Sequence, residues 1–214
     1  MGTVVLISPT VDLRSQLLPV REQGRRQACL PFASSCAHEH QRMADAHLSV
    51  EYLFFHAIAR ASGNPLIGTT MTATAVALAQ DGQPLEAEWP YALVQPDPWS
   101  PPALKSEAWK ATLVPNQLSF SDLVSHLDKG APIVLGLVIT DAFFDPDDDG
   151  VVPDLTPDIE RAGHAVLAVG HGMHEGEPAI LVRNSWGEAW GLQGHAWLTR
   201  TYIDRQLRET ATLT

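Results

Sequence analysis

NSWGEAWGLQGHAWL, residues 184–198, starts where the apolar run AILVR (179–183) gives out, and it sets three tryptophans and three glycines behind an asparagine. The run ahead of it is short, rich in branched side chains and bounded by charge, which predicts a strand over 179–187 carrying Asn184 near its end. Working back along the chain, HAVLAVGHG (164–172) and APIVLGLVI (131–139) have the same texture and predict two more strands. His164 stands at the start of the first of these, so two neighbouring strands can present His164 and Asn184 together.

Further upstream the periodicity changes. Phe32, Cys36, Met43, Ala46, Val50, Leu53 and Phe54 fall mostly three and four residues apart, which predicts helix over 29–60. A break is expected near Leu48-Ser49, with Ser49 capping a second helix. TTMTATAVALAQDG (69–82) reads as a third helix, opened by a threonine cap and stopped at Gly82. Pro96, Pro98, Pro101 and Pro102 exclude regular structure from residues 95–109, the expected connection between halves. Helices first and strands second predict an α+β chain of two lobes in one domain over 1–214. The helical lobe is expected at about 23–115, and the strand lobe at about 116–205 together with the N-terminal segment.

Composition narrows the function. The chain has 214 residues, 45% of them hydrophobic, enough for a proper core. Lys and Arg number 14 against 25 Asp and Glu, and the net charge of −11 repels phosphate backbones and anionic lipid, so neither nucleic acid nor a membrane is expected as a partner. The opening MGTVVLISPTVDLRS has only the short apolar run VVLI and no basic start, unlike a secretory signal. Cys29 and Cys36 are seven residues apart, two helical turns or roughly 10 Å, too far to bridge. Two free thiols suit a reducing compartment, so a cytoplasmic location is expected.

EQGRRQACLPF (22–32) places Cys29 at the expected helix start, where the field of the helix favours thiolate over thiol. By itself Cys29 also fits a small core residue, because free cysteine is among the most buried residue types. Arg25 and Arg26, on a loop, are expected to point to water. His164 and Asn184 shift the balance. A nucleophilic thiol needs a base, and the base needs a group that holds its ring, so Cys29, His164 and Asn184 form a working set. Gln23, six residues before Cys29, can bring its side-chain amide to the spot faced by the Cys29 backbone N–H, so that two donors meet one developing negative charge.

Together these stretches resemble the papain and cathepsin family of cysteine peptidases. PVREQGRRQACLPFA resembles the nucleophile segment, GHAVLAVGHG the histidine segment, and NSWGEAWGLQGHAWL matches the Asn-Ser-Trp-Gly, Trp-Gly and Gly spacing at every fixed position. LSVEYL and DGQPLEAEWPYAL resemble stretches of the helical lobe, and the likeness runs from about Val11 to Ile203. The resemblance implies a papain-like two-lobed fold, a helical lobe and an antiparallel β-barrel lobe with the active-site cleft between them. It also implies a cysteine endopeptidase that cuts peptide or protein substrates through a Cys29-His164-Asn184 triad and a thioester, with Gln23 at the oxyanion and no metal or cofactor. For substrate binding it implies Gly68, Thr69, Met71, Gly136, Ala162, Gly163 and Ala165, with Trp186 shielding the His164–Asn184 bond from water. The pocket for the second residue before the cut is expected to be deep and apolar, although Asp204 or Glu209 can reach its floor. Acyl transfer or deamidation on the same triad, and a retired peptide-binding module, are the alternatives.

Several features depart from the family. Arg26 stands where its pattern has a cysteine that normally forms a disulfide, and the usual partner position falls at Leu66, so both ends of that bridge are missing together. The substrate-pairing glycines become Gly68-Thr69, and about ten residues precede the mature-like start at Val11, which leaves two alternatives: a sequence trimmed of its prosegment, or activity controlled otherwise. DPDDDGVVPD (145–154) begins like a calcium loop, but Thr156 in its twelfth position cannot supply the bidentate carboxylate, so a solvated acidic loop is expected. His38, His40, His47 and His56 lack metal-site spacing and are expected on polar helix faces.

Overall fold

The computed structural model describes residues 7–214; residues 1–6, and with them most of the VVLI run, lie outside the described residues. A short β1 (Ser8–Asp12) is followed by α1 (Cys29–Gln41), α2 (Val50–Arg60) and α3 (Met71–Gln80). After the proline-rich stretch come β2 (Leu113–Asn116), α4 (Phe120–Asp128), β3 (Ile133–Thr140), β4 (Glu160–His174), β5 (Glu177–Arg183), β6 (His195–Thr199), α5 (Arg200–Gln206) and β7 (Leu207–Leu213). The result is the expected mixture of a helical part and an antiparallel sheet, the two-lobed papain-like α+β architecture. Among the described residues no helix is long and apolar enough to cross a membrane.

The caps fall where the sequence puts them. Ser49 accepts from the Tyr52 amide at 3.1 Å to open α2, and Thr70 accepts from the Ala73 amide at 3.2 Å to open α3. Gly82, with φ of +72°, turns the chain out of α3. Two details differ from expectation. Met43 and Ala46 are exposed because α1 ends at Gln41, so neither belongs to a helix face. His38 is fully buried because α1 is enclosed nearly all round, by α2 and α3 on one side and β3 and β4 on the other. Its Nδ1 bonds Gln83 Oε1 at 3.0 Å.

The sheet runs in the order β2-β7-β3-β4-β5-β6, with β1 added to the far half of β4. β4 starts at Glu160, earlier than expected, so His164 sits inside the strand opposite Leu137 of β3. β5 ends at Arg183, and Asn184 is the first residue past it. α1 lies with its N-terminus toward the β4 segment around His164, and the main core fills the space between that helix and the sheet.

Gly82 generates a stability test. A Cβ there would lie 2.4 Å from the Trp109 carbonyl oxygen, and φ is positive. Gly82→Ala should lower unfolding stability by about 2 kcal/mol, read as a fall in urea midpoint at constant m-value.

Candidate active site

Gln23 is buried and held by hydrogen bonds from both its backbone and its side chain. Its backbone N–H donates to Ser185 O at 2.8 Å, Oε1 accepts from Ser185 Oγ at 2.6 Å, and Nε2 donates to Arg26 O at 2.7 Å. An amide nitrogen carries two hydrogens, so one N–H of Gln23 is left over. Ala28, the residue before α1, offers no side-chain acceptor, and the first-turn N–H groups beside Cys29 are therefore uncapped by it. That end of the helix is a place for negative charge.

Cys29 is partly exposed at the cleft, whereas Cys36, two turns along the same helix, is buried; both are free thiols. Burial acts to raise the Cys29 pKa, but the charge of His164 and its hydrogen bond to the thiol, helped by backbone N–H groups of Ala165 and Leu30, bring it below the ordinary thiol value. Burial pushes the Cys36 thiol up to about 11. The two thiols are thus shifted in opposite directions, Cys29 toward the anion and Cys36 away from it.

His164 Nε2 meets Asn184 Oδ1 at 2.8 Å. An amide oxygen only accepts, so Nε2 carries the proton and Nδ1 is the nitrogen left for Cys29. The Asn184 amide is oriented by the Ser185 backbone N–H, which donates to the same Oδ1 at 2.8 Å. Trp186 lies over the imidazole with ring centroids 4.7 Å apart, and Phe143 stands edge-on at 5.7 Å. The aromatic expected beside the His164–Asn184 bond is therefore packed against the imidazole.

A cleft of about 490 Å³ joins Cys29 and His164 to Gly68, Thr69, Gly136, Ala162, Gly163 and Ala165. Met71 does not line it. As the first residue of α3 it turns into the core and is 1% exposed. Trp186 lines a separate groove of about 560 Å³, with Phe144, the acidic loop and Trp190. Asp147 in that loop spends one carboxylate oxygen on the backbone N–H groups of Asp149 and Val151.

The cleft is also less apolar than expected. Gln27, Leu66 and Ile67 line one side and Arg208 and Glu209 the other, and of these the sequence points only Glu209 toward the pocket. The cause is register: Glu209 of β7 pairs with Gly136 of β3, and a Cβ at Gly136 would lie 2.7 Å from Glu209 Cγ, so the glycine makes room for the carboxylate's stem. Arg26 is the other correction. It is buried, not solvated, because Glu51 of α2 takes its guanidinium at 2.6 and 2.7 Å.

Comparison with known proteins fits this geometry. The family model described as papain family cysteine protease matches residues 7–212. Mouse cathepsin K is 26% identical over 201 residues, 91% of this chain and 60% of its own length. A cathepsin L-like peptidase of Aedes aegypti is 28% identical over 203 residues, 92% of this chain and 60% of its own length. The chain thus spans about three-fifths of these curated relatives. Among solved structures, xylellain, a cysteine protease from Xylella fastidiosa, superposes with a TM-score of 0.78 at 22% identity, covering 99% of this chain and 87% of that one. Digestive procathepsin L2 from the larval midgut of Tenebrio molitor gives 0.74 at 23% identity, covering all of this chain and 70% of that one.

The two thiols give a direct test. Iodoacetamide at about pH 7 should alkylate Cys29 and leave Cys36 untouched, with the Cys29 rate persisting below the ordinary thiol range as pH falls. Peptide mapping by mass spectrometry reads both sites; labelling of Cys36 ahead of Cys29 would contradict the assignment.

Proposed function

The chain belongs to the papain family of cysteine proteases, and from that membership and the site geometry we propose that it hydrolyses peptide bonds inside protein or peptide substrates. The observation that carries the reading is the 2.8 Å bond from His164 Nε2 to Asn184 Oδ1, which leaves Nδ1 for a thiol whose pKa is lowered. Cys29 Sγ, as thiolate, attacks the scissile carbonyl carbon, and the carbonyl electrons move onto oxygen. The free Gln23 N–H and the Cys29 backbone N–H stabilise that oxyanion. As the tetrahedral centre collapses the C–N bond breaks, His164 delivers its Nδ1 proton to the leaving amine, and a thioester remains on Cys29. Water then attacks the thioester, His164 takes its proton, and the acid leaves as Sγ is released. Asn184 does no bond chemistry; it keeps the imidazole turned toward Cys29. The two free thiols also support a proposal that the protein works in a reducing compartment.

For the residue accepted before the cut, the cleft supports a basic side chain as well as an apolar one. Arg208 is turned to Glu160 at 3.3 Å and to the Arg205 carbonyl at 2.7 Å, while Glu209 makes no ion pair among the described residues. A substrate arginine or lysine reaching the cleft floor meets that carboxylate, and an aliphatic chain meets Gly136, Ala162 and Ala165.

Two measurements test the proposal. Cys29→Ala should abolish cleavage of a fluorogenic peptide and Cys36→Ala should retain most of it; equal losses would sink the nucleophile assignment. Glu209→Ala should cut kcat/KM for substrates with arginine at the second position before the cut by about tenfold, leaving leucine substrates within about twofold. Equal effects on both would mean that Glu209 does not reach the substrate.

A further inference from the structure

Arg26 and Glu51 form a buried two-pronged charge pair in the helical part, and the reaction scheme gives them nothing to do. Arg26 is 8% exposed and Glu51 0%. The guanidinium makes two parallel bonds to the carboxylate, at 2.6 and 2.7 Å, and donates further to Ala92 O at 2.7 Å and Gln95 Oε1 at 2.9 Å. Glu51 also accepts from the Ala92 N–H at 3.0 Å and Trp99 Nε1 at 2.6 Å. Phe54, Tyr91 and Trp99 lie around the guanidinium, with centroids at 5.1, 4.8 and 5.5 Å. A buried pair is weak evidence for stability, because desolvation cancels much of the attraction, but a two-pronged fork whose terminal nitrogens each hold a second acceptor fixes geometry well.

What it fixes is next to Cys29. The Arg26 carbonyl oxygen accepts from Gln23 Nε2 at 2.7 Å and from the Ala28 N–H at 2.9 Å. One oxygen thus ties the Gln23 amide to the residue that leads into α1. Tyr91, stacked on the guanidinium, donates its hydroxyl to Gln23 O at 2.9 Å. We propose that Arg26, clamped by Glu51, is a positioning residue that holds the Gln23 amide in place against the start of α1, where the Cys29 N–H lies. The proposal rests on the oxyanion role given to Gln23 above. The clamp touches no reacting atom and leaves the thiol's protonation to His164.

The experiment is a double-mutant cycle between the clamp and Gln23, with kcat counted per active site titrated by a thiol-directed epoxide, so that unfolded molecules do not contribute. Arg26→Met/Glu51→Gln removes both charges together and leaves neither buried alone. It should lower kcat about ten- to a hundredfold, less than outright loss of an oxyanion donor, with KM and the pH profile of Cys29 alkylation unmoved. In a Gln23→Ala background the same pair of changes should cost almost nothing more. Arg26→Lys, which keeps the charge and loses the fork, supplies the same comparison if the double variant does not fold, and should also lose kcat only when Gln23 is present. An unchanged kcat per titrated site, a loss fully additive with Gln23→Ala, or a shifted alkylation profile would overturn the proposal. A Gln23→Ala variant with normal kcat would instead overturn the oxyanion assignment itself.

Discussion

The site depends on one side chain being pinned from behind. His164 is useful to Cys29 only while its ring faces α1, and the ring faces α1 because Nε2 is held by Asn184 at 2.8 Å. The sheet makes that bond. β4 and β5 run antiparallel and their ladder ends with Leu167 opposite Arg183, so the chain leaves β5 beside the start of β4 and brings Asn184 and Trp186 against His164. The tryptophan then covers the imidazole at 4.7 Å and Ser185 fixes the asparagine amide. A single strand register thereby sets the tautomer of the base and its direction.

Gln23 extends the same dependence across the cleft. Its amide oxygen takes the Ser185 hydroxyl and its backbone N–H reaches the Ser185 carbonyl, so Ser185 holds the asparagine with one group and the glutamine with two others. The segment leading to α1 is in this way referenced to the end of β5, and the helix start inherits that reference. Cys29 and Cys36 show how local the outcome is. They share a helix, yet one thiol has a lowered pKa beside His164, and the other is pushed up to about 11 by burial. Position along α1, more than residue type, decides the chemistry.

The parts legible in the sequence are those specified by near neighbours. Branched apolar runs marked β3, β4 and β5, Ser49 and Thr70 marked helix starts, and Gly82 marked a stop. Gln23, Cys29, His164 and Asn184, grouped in the sequence by residue type and by resemblance to the papain family, are brought together in the structure. Features set by distant partners were not legible in the sequence. Arg26 looked solvated because Glu51 lies 25 residues away on another element. His38 reads as a polar-face residue, but α1 is enclosed nearly all round, and Gln83 meets the His38 Nδ1 from beyond α3. Met71 turned out to be core, since facing the cleft or the core depends on how α3 is rotated about its axis. α4 did carry a local signal, Ser119 and Asp122 in a reciprocal cap ahead of Phe120, Leu123 and Leu127, and that signal went unread.

Two glutamates near the cleft show how the fold assigns opposite uses to one side chain. Glu51 is wholly buried, and its two oxygens receive four donors, two from Arg26 and one each from Ala92 and Trp99. Its charge is used up inside the protein, and no substrate can compete for it. Glu209 is exposed on β7, held over Gly136 by strand pairing, with its neighbour Arg208 turned away to Glu160. Its charge is not neutralised by an ion pair among the described residues, and it faces the space a substrate must enter. A carboxylate neutralised from within can hold a backbone in place but cannot select a substrate; one left to the cleft can select but holds nothing. In the proposed reading Glu51 serves positioning from the helical side and Glu209 serves selection from the strand side, with the cleft between the two.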